Sequence, residues 1–158
     1  MVPTEPTAYR RGSRRVDWRW ATVKAVVDTN VVAYLLLGTD RFVDEARDFV
    51  AILDEAWAPA LWEAELANVI WMAVRHKVLP LDEATKRLTW AGGLGIHTVA
   101  NRTLWQGALV RSHDANIAVY DTLFVELAVR ERVPLATFDN AVLKAFPTIA
   151  VRPGTLAR

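Results

Sequence analysis

The chain has 158 residues, enough for one domain with a sizeable core and too few for a second. A hydrophobic content of 53% against 23% charged residues excludes a disordered chain, and the absence of cysteine excludes disulfides and thiolate-held metals. The formal net charge of +1 provides no global positive field, so a nucleic-acid partner would have to be met by local basic groups or by cations.

Residues 1–22 set Arg10, Arg11, Arg14, Arg15 and Arg19 against Glu5 and Asp17, while Pro3, Pro6 and Gly12 break any periodicity. They read as an irregular Arg-bearing arm, and as a solvated extension in preference to a basic nucleic-acid-binding tail. A second account places the true start of translation at Val23 and leaves the arm outside the protein. The polar N-terminus lacks a secretory apolar core. The longest apolar run, Val31–Leu37, is far below the roughly 20 residues that cross a bilayer, so no membrane association and a cytoplasmic location are expected.

From Val23 onward, strands alternate with helices. Lys24–Val27 predicts a short buried strand, stopped by Asp28-Thr29-Asn30 before the helical run Val31–Leu37. Phe42, Ala46, Phe49, Val50 and Leu53 fall at helical spacing and predict a helix over Arg41–Glu55. A very short strand follows at Ala56–Ala58, then a strongly apolar helix over Leu61–Lys77 and another over Leu81–Ala91, opened by Pro80 and ended by Gly92 and Gly93. Ile96–Val99 is a third strand, Arg102–Arg111 a helix, and Asn116–Glu131 a long helix. Pro134–Phe138 is a fourth strand, ended by Asp139, with a short helix at Ala141–Phe146 and an edge strand at Ile149–Val151. This alternation predicts an α/β fold, a three-layer α/β/α sandwich over residues 23–158 with a mostly parallel sheet of four to five strands.

Four acids occupy positions where an acid is costly. Asp28 and Asp139 each follow a buried-type strand, and Glu65 and Asp121 lie on helices among apolar neighbours. For each alone, a salt bridge or a helix cap is a sufficient account. Together they lack a matching set of buried-type lysines or arginines, and a hard divalent cation would neutralise them with the oxygen donors it prefers. Asp114, seven residues before Asp121, is a second-tier ligand. Glu63 lies on another helix face from Glu65, and Glu126, with Arg130 at i+4, reads as an ordinary solvated pair. His76, His97 and His113 have no paired metal spacing, and there is no P-loop, G-x-G-x-x-G or nucleophile-elbow pattern.

The motifs DTN at Asp28–Asn30, PALWEAELAN at Pro59–Asn68, YDT at Tyr120–Thr122 and PLATFD at Pro134–Asp139 resemble the successive motifs of PIN-domain proteins. Over Lys24–Val151 the chain is most similar to VapC-type toxins of toxin–antitoxin pairs. The resemblance implies a metal-dependent endoribonuclease using Mg²⁺ or Mn²⁺, with Asp28, Glu65, Asp121 and Asp139 as catalytic metal ligands. Thr29, Asn30 and Thr137 match accessory polar positions that place a water or a phosphate oxygen, and Asn68 accompanies the glutamate. Water-driven hydrolysis would leave 5′-phosphate and 3′-hydroxyl ends. Implied partners are an RNA substrate, a cognate antitoxin and a second copy in a homodimer, for which Trp71, Trp90 and Trp105 offer apolar surface unless they serve the core.

Two rival readings differ in class. A receiver-type phospho-acceptor wants adjacent acids after the first strand and a lysine after a late one. Asp28 has no acidic neighbour before Asp40, and residues 134–140 contain no lysine. The other rival is a non-catalytic PIN-like RNA-binding or scaffold module, which a nuclease assay on the Asp28→Asn variant separates from an enzyme.

Overall fold

The computed structural model describes residues 22–158; the arm read over residues 1–22 therefore lies, except for Thr22, outside the described residues. The first strand, β1 (Val23–Val27), buries Ala25, Val26 and Val27 in succession, as a parallel strand covered on both faces must. Helix α1 (Thr29–Leu37) follows and stops at Gly38, whose φ of 65° lets its N–H reach the Tyr34 carbonyl. Helix α2 (Val43–Ala51) leads into β2 (Leu53–Pro59), and α3 (Leu61–Arg75) with α4 (Leu81–Gly92) into β3 (Ile96–Val99). A 3-10 turn at Asn101–Thr103 precedes α5 (Trp105–Ala115) and α6 (Val119–Glu131). The chain then runs through β4 (Leu135–Ala136), α7 (Asn140–Ala145), β5 (Ala150–Val151) and α8 (Pro153–Leu156).

All strand pairs are parallel, in the order β3-β2-β1-β4-β5, so β5 is an edge strand and β1 the centre. The chain moves outward in one direction from β1 to β3, then jumps back across to β4. With right-handed crossovers the reversal puts α1–α4 on one face and α5–α6 on the other. The packing agrees: α1 lies against α2 and α3, and α5 against α6, which covers β1 and β2. The reversal beside β1 opens a crevice at the carboxyl ends of β1 and β4, where open α/β sheets place their ligands.

Two boundaries and one side-chain environment depart from expectation for identifiable reasons. Leu53–Glu55 continue the helical spacing of α2 but belong to β2, where Val23 pairs with Leu53 and Lys24 with Glu55. Lys24 also meets Glu55 through an exposed ion pair of 2.7 Å. Asn116 ends α5 in a left-handed conformation (φ 55°) instead of starting the next helix, which begins at Val119. Glu126 is not a solvated partner: its side chain is 14% exposed and held by Arg111 at 2.8 Å and Arg130 at 3.5 Å. It fills the space over Gly107, where a Cβ would come within 2.4 Å of it. Among the described residues, no helix is long and apolar enough to cross a membrane.

Candidate functional site

The crevice is lined at its polar end by Asp28, Thr29, Asn30, Glu65, Asp121 and Asp139, with Tyr34, Leu37 and Val69 on its apolar wall, and encloses about 260 Å³. A larger hollow of about 530 Å³ beside Arg152 and Arg158 has its chief acid, Glu45, already paired.

Each acid of the crevice arrives on a different element. Asp28 ends β1, its backbone N–H bonded to the Ala136 carbonyl at 3.0 Å, and it is 8% exposed. It occupies the N-cap position of α1 with extended backbone, yet its side chain caps nothing. Instead Oδ2 accepts the Thr137 hydroxyl at 2.7 Å and Asn30 Nδ2 at 3.3 Å. Thr137 is fully buried, and its oxygen also accepts from Asn30 Nδ2 at 3.3 Å and from the Asp139 N–H at 3.0 Å. Asn30 completes this network by accepting the Phe138 N–H at 3.2 Å. Glu65, on α3, is half-buried and accepts the Thr29 hydroxyl at 3.0 Å. Asp121 lies in the first turn of α6, where buried Thr122 ties the helix to α5 through Ser112 Oγ (2.6 Å) and the Ala108 carbonyl (2.8 Å). Asp139 caps α7, its Oδ1 accepting from Ala141 N at 2.8 Å and Val142 N at 3.1 Å.

Burial and mutual repulsion govern the electrostatics. Burial pushes the Asp28 carboxyl up to about 7; the Thr137 hydrogen bond opposes this, while the Glu65 and Asp121 charges add to it. Burial also raises Glu65, countered by the Thr29 bond and reinforced by Asp121. Asp121 is raised by burial first and by Asp139 second. None of the ion pairs among the described residues involves these four acids.

Their donors are all oxygen and no cation among the described residues pairs with them, which fits a hard divalent ion in chemistry. As the side chains stand, no group of three or more His, Cys, Asp or Glu among the described residues is drawn together closely enough to hold one. Loading would therefore require the carboxylates to turn inward.

Other expected positions fall elsewhere. Asn68 is exposed on α3 and absent from the crevice wall, which Glu65 and Val69, one helical turn apart, supply instead. Asp114 is exposed in the last turn of α5, separated from α6 by the break at Asn116. Thr137 lies beneath the wall, its hydroxyl engaged on all sides, so it positions Asp28 and cannot meet a phosphate or a bulk water. Sequence reasoning assigned no role to Tyr34 on the wall or to Thr122 beneath Asp121; the YDT triplet was the available signal for Thr122. Trp71, Trp90 and Trp105 are 52%, 50% and 53% exposed, so they are not core residues of the described fold.

The PIN domain family profile matches residues 25–147. The chain is similar to Ribonuclease VapC3 of Pyrobaculum aerophilum, 30% identical over 131 residues that cover 80% of this chain and 98% of the relative. In fold it is similar to a solved toxin-antitoxin complex from Klebsiella pneumoniae, with a TM-score of 0.57 at 16% identity, covering 82% of this chain and 97% of the other. The crevice of four acids at the reversal of a parallel sheet thus lies within the matched span, and the chain belongs to the PIN-domain family.

Proposed function

We propose that the chain is a metal-dependent endoribonuclease and the toxin of a toxin–antitoxin pair. The observation that carries this reading is that Asp28, Glu65, Asp121 and Asp139, from four separate elements, line one crevice with no ion pair to a cation among the described residues. The ribonuclease named among its relatives and the toxin–antitoxin complex of similar fold support it. Mg²⁺ or Mn²⁺, when bound, would activate a water and balance charge on the phosphoryl group in flight. The four carboxylates would hold that ion. Thr29 holds Glu65, and Thr137 with Asn30 holds Asp28, so two of the four carboxylates are tethered within the crevice and loading would bring the others toward them or loosen these bonds. Thr29 and Asn30 also line the wall, but their donors are spent on Glu65, Asp28 and Thr137, so either would have to leave those partners to reach a phosphate oxygen. Products would carry 5′-phosphate and 3′-hydroxyl ends.

The same reading makes residues 23–158 the nuclease unit, acting in the cytoplasm on RNA, restrained by an antitoxin and assembled as a homodimer through surfaces such as those around the half-exposed tryptophans. The test is cleavage of single-stranded RNA with Mg²⁺ or Mn²⁺ and with EDTA, beside thermal melting with and without the ion. We expect EDTA to abolish cleavage, and saturation near 100 times Kd to stabilise the fold by about 2.7 kcal/mol. Cleavage indifferent to EDTA would sink the metal mechanism, and absence of cleavage under all conditions would leave the non-catalytic module.

A further inference from the structure

Outside the acidic crevice, Glu45 on α2 is held by three hydrogen bonds from the C-terminal segment. Its Oε1 accepts Arg152 Nε at 3.1 Å and the Gly154 N–H at 2.9 Å, and its Oε2 accepts Arg152 Nη2 at 2.5 Å. A Cβ at Gly154 would come within 2.9 Å of Glu45, so only glycine lets the backbone approach this closely. Having gripped Glu45, the Arg152 guanidinium lies over two rings, 4.9 Å from Phe138 and 5.4 Å from Phe42. Phe42 stacks on Tyr34 at 4.6 Å, and both pack against Phe138, at 4.7 and 5.5 Å. Tyr34 forms part of the crevice wall, and Phe138 is the residue before Asp139, with its N–H on Asn30. A continuous set of contacts therefore runs from Arg152 to both sides of the crevice. The family profile ends at residue 147, so Arg152 and Gly154 lie beyond the span it matches.

We infer that Arg152 is a positioning residue for the acidic crevice, acting through Glu45 and the Tyr34–Phe42–Phe138 rings to hold Asp139 and the Tyr34 wall in register. Arginine suits the task because one planar fork grips a carboxylate in two places while its face covers a ring; lysine keeps the charge and loses the fork. The inference rests on the nuclease reading, and wild-type cleavage in the same assay separates the two: no wild-type cleavage defeats that reading, whereas cleavage insensitive to Arg152 defeats only this one.

The experiment compares wild type with Arg152→Lys, Arg152→Ala and Glu45→Gln at a temperature where melting curves show each fully folded. The glutamine variant keeps an oxygen for the Gly154 N–H and so preserves the local fold should the alanine variant fail to fold. Misplacing a reacting group by about 1 Å can slow chemistry on the order of 100-fold, so kcat should drop about tenfold or more in Arg152→Ala. KM for RNA should stay within about twofold, with Arg152→Lys and Glu45→Gln intermediate in kcat. In the metal-free protein, the amide resonances of Phe138 and Asp139 should shift in all three variants. Unchanged kcat in the folded variants, or a rise in KM alone, would overturn the proposal, as would unmoved Phe138 and Asp139 resonances.

Discussion

Asp28 and Asp139 each follow one of two neighbouring parallel strands and each precedes a helix with extended backbone (φ −69° and −72°), yet they behave differently. Asp139 caps: its carboxylate collects the N–H groups of Ala141 and Val142. Asp28 makes no cap hydrogen bond to its helix and instead accepts the hydroxyl of Thr137, beyond the neighbouring strand, and the side-chain amide of Asn30. Position before a helix does not decide the role of an aspartate; the donor offered by the adjacent strand does. One carboxylate is held by its own helix, while the other is buried, crowded by like charges and has its pKa raised to about 7.

The largest effect that would sharpen this contrast is on catalysis. Asp28→Asn should lower RNA cleavage on the order of 10²–10³-fold, read by product formation at saturating Mg²⁺. Retained cleavage would break the assignment of the buried acid as the working one. Next comes pH. A folded-state pKa raised from 3.8 to about 7 means the native state holds the proton more tightly than the unfolded chain. The stability this contributes is complete below about pH 4 and disappears as pH rises through about 7. Metal-free wild type should therefore melt progressively lower across that window. Asp28→Asn should make the profile shallower, with the raised carboxyls of Glu65 and Asp121 keeping part of the slope; a wild-type melting point that climbs over the same range would contradict the sign.

Thr137→Val probes the link between the two strand ends. It removes the hydroxyl that donates to Asp28 and accepts from Asn30 and the Asp139 N–H, and should cost about 1–3 kcal/mol in denaturant unfolding. A loss no greater than that of an exposed threonine would show that the network is not carrying Asp28. The smallest effect belongs to the cap. Asp139→Ala should lose about 1 kcal/mol of stability while Asp139→Asn, also a good cap, loses little. Equal losses would mean that Oδ1 is not capping α7.

The order of the elements and the parallel sheet could be read in advance because alternating buried strands and amphipathic helices leave few topologies. The four acids stood out for a similarly simple reason, since each sits where apolar neighbours predict burial. What was hidden depended on partners far along the chain. Leu53 fits a helix face as well as a strand, and only its pairing with Val23 decides. Thr137 looked like a substrate-facing hydroxyl, but its three partners include Asp28 and Asn30, more than a hundred residues away. Asn116 favours helix starts and left-handed ends alike, and only its φ of 55° shows that it closes α5, with Asp114 in the last turn of that helix.

The central strand of the sheet is also the first to be made, and this orders the birth of the crevice. Asp28 emerges with β1, but the hydroxyl that holds it comes 109 positions later. Until β4 docks, one long edge of β1 has no neighbour and the strand-end acids have no common wall. On the ribosome, then, a growing chain carries scattered carboxylates and acquires its crevice only when residues 135–139 close against the oldest strand.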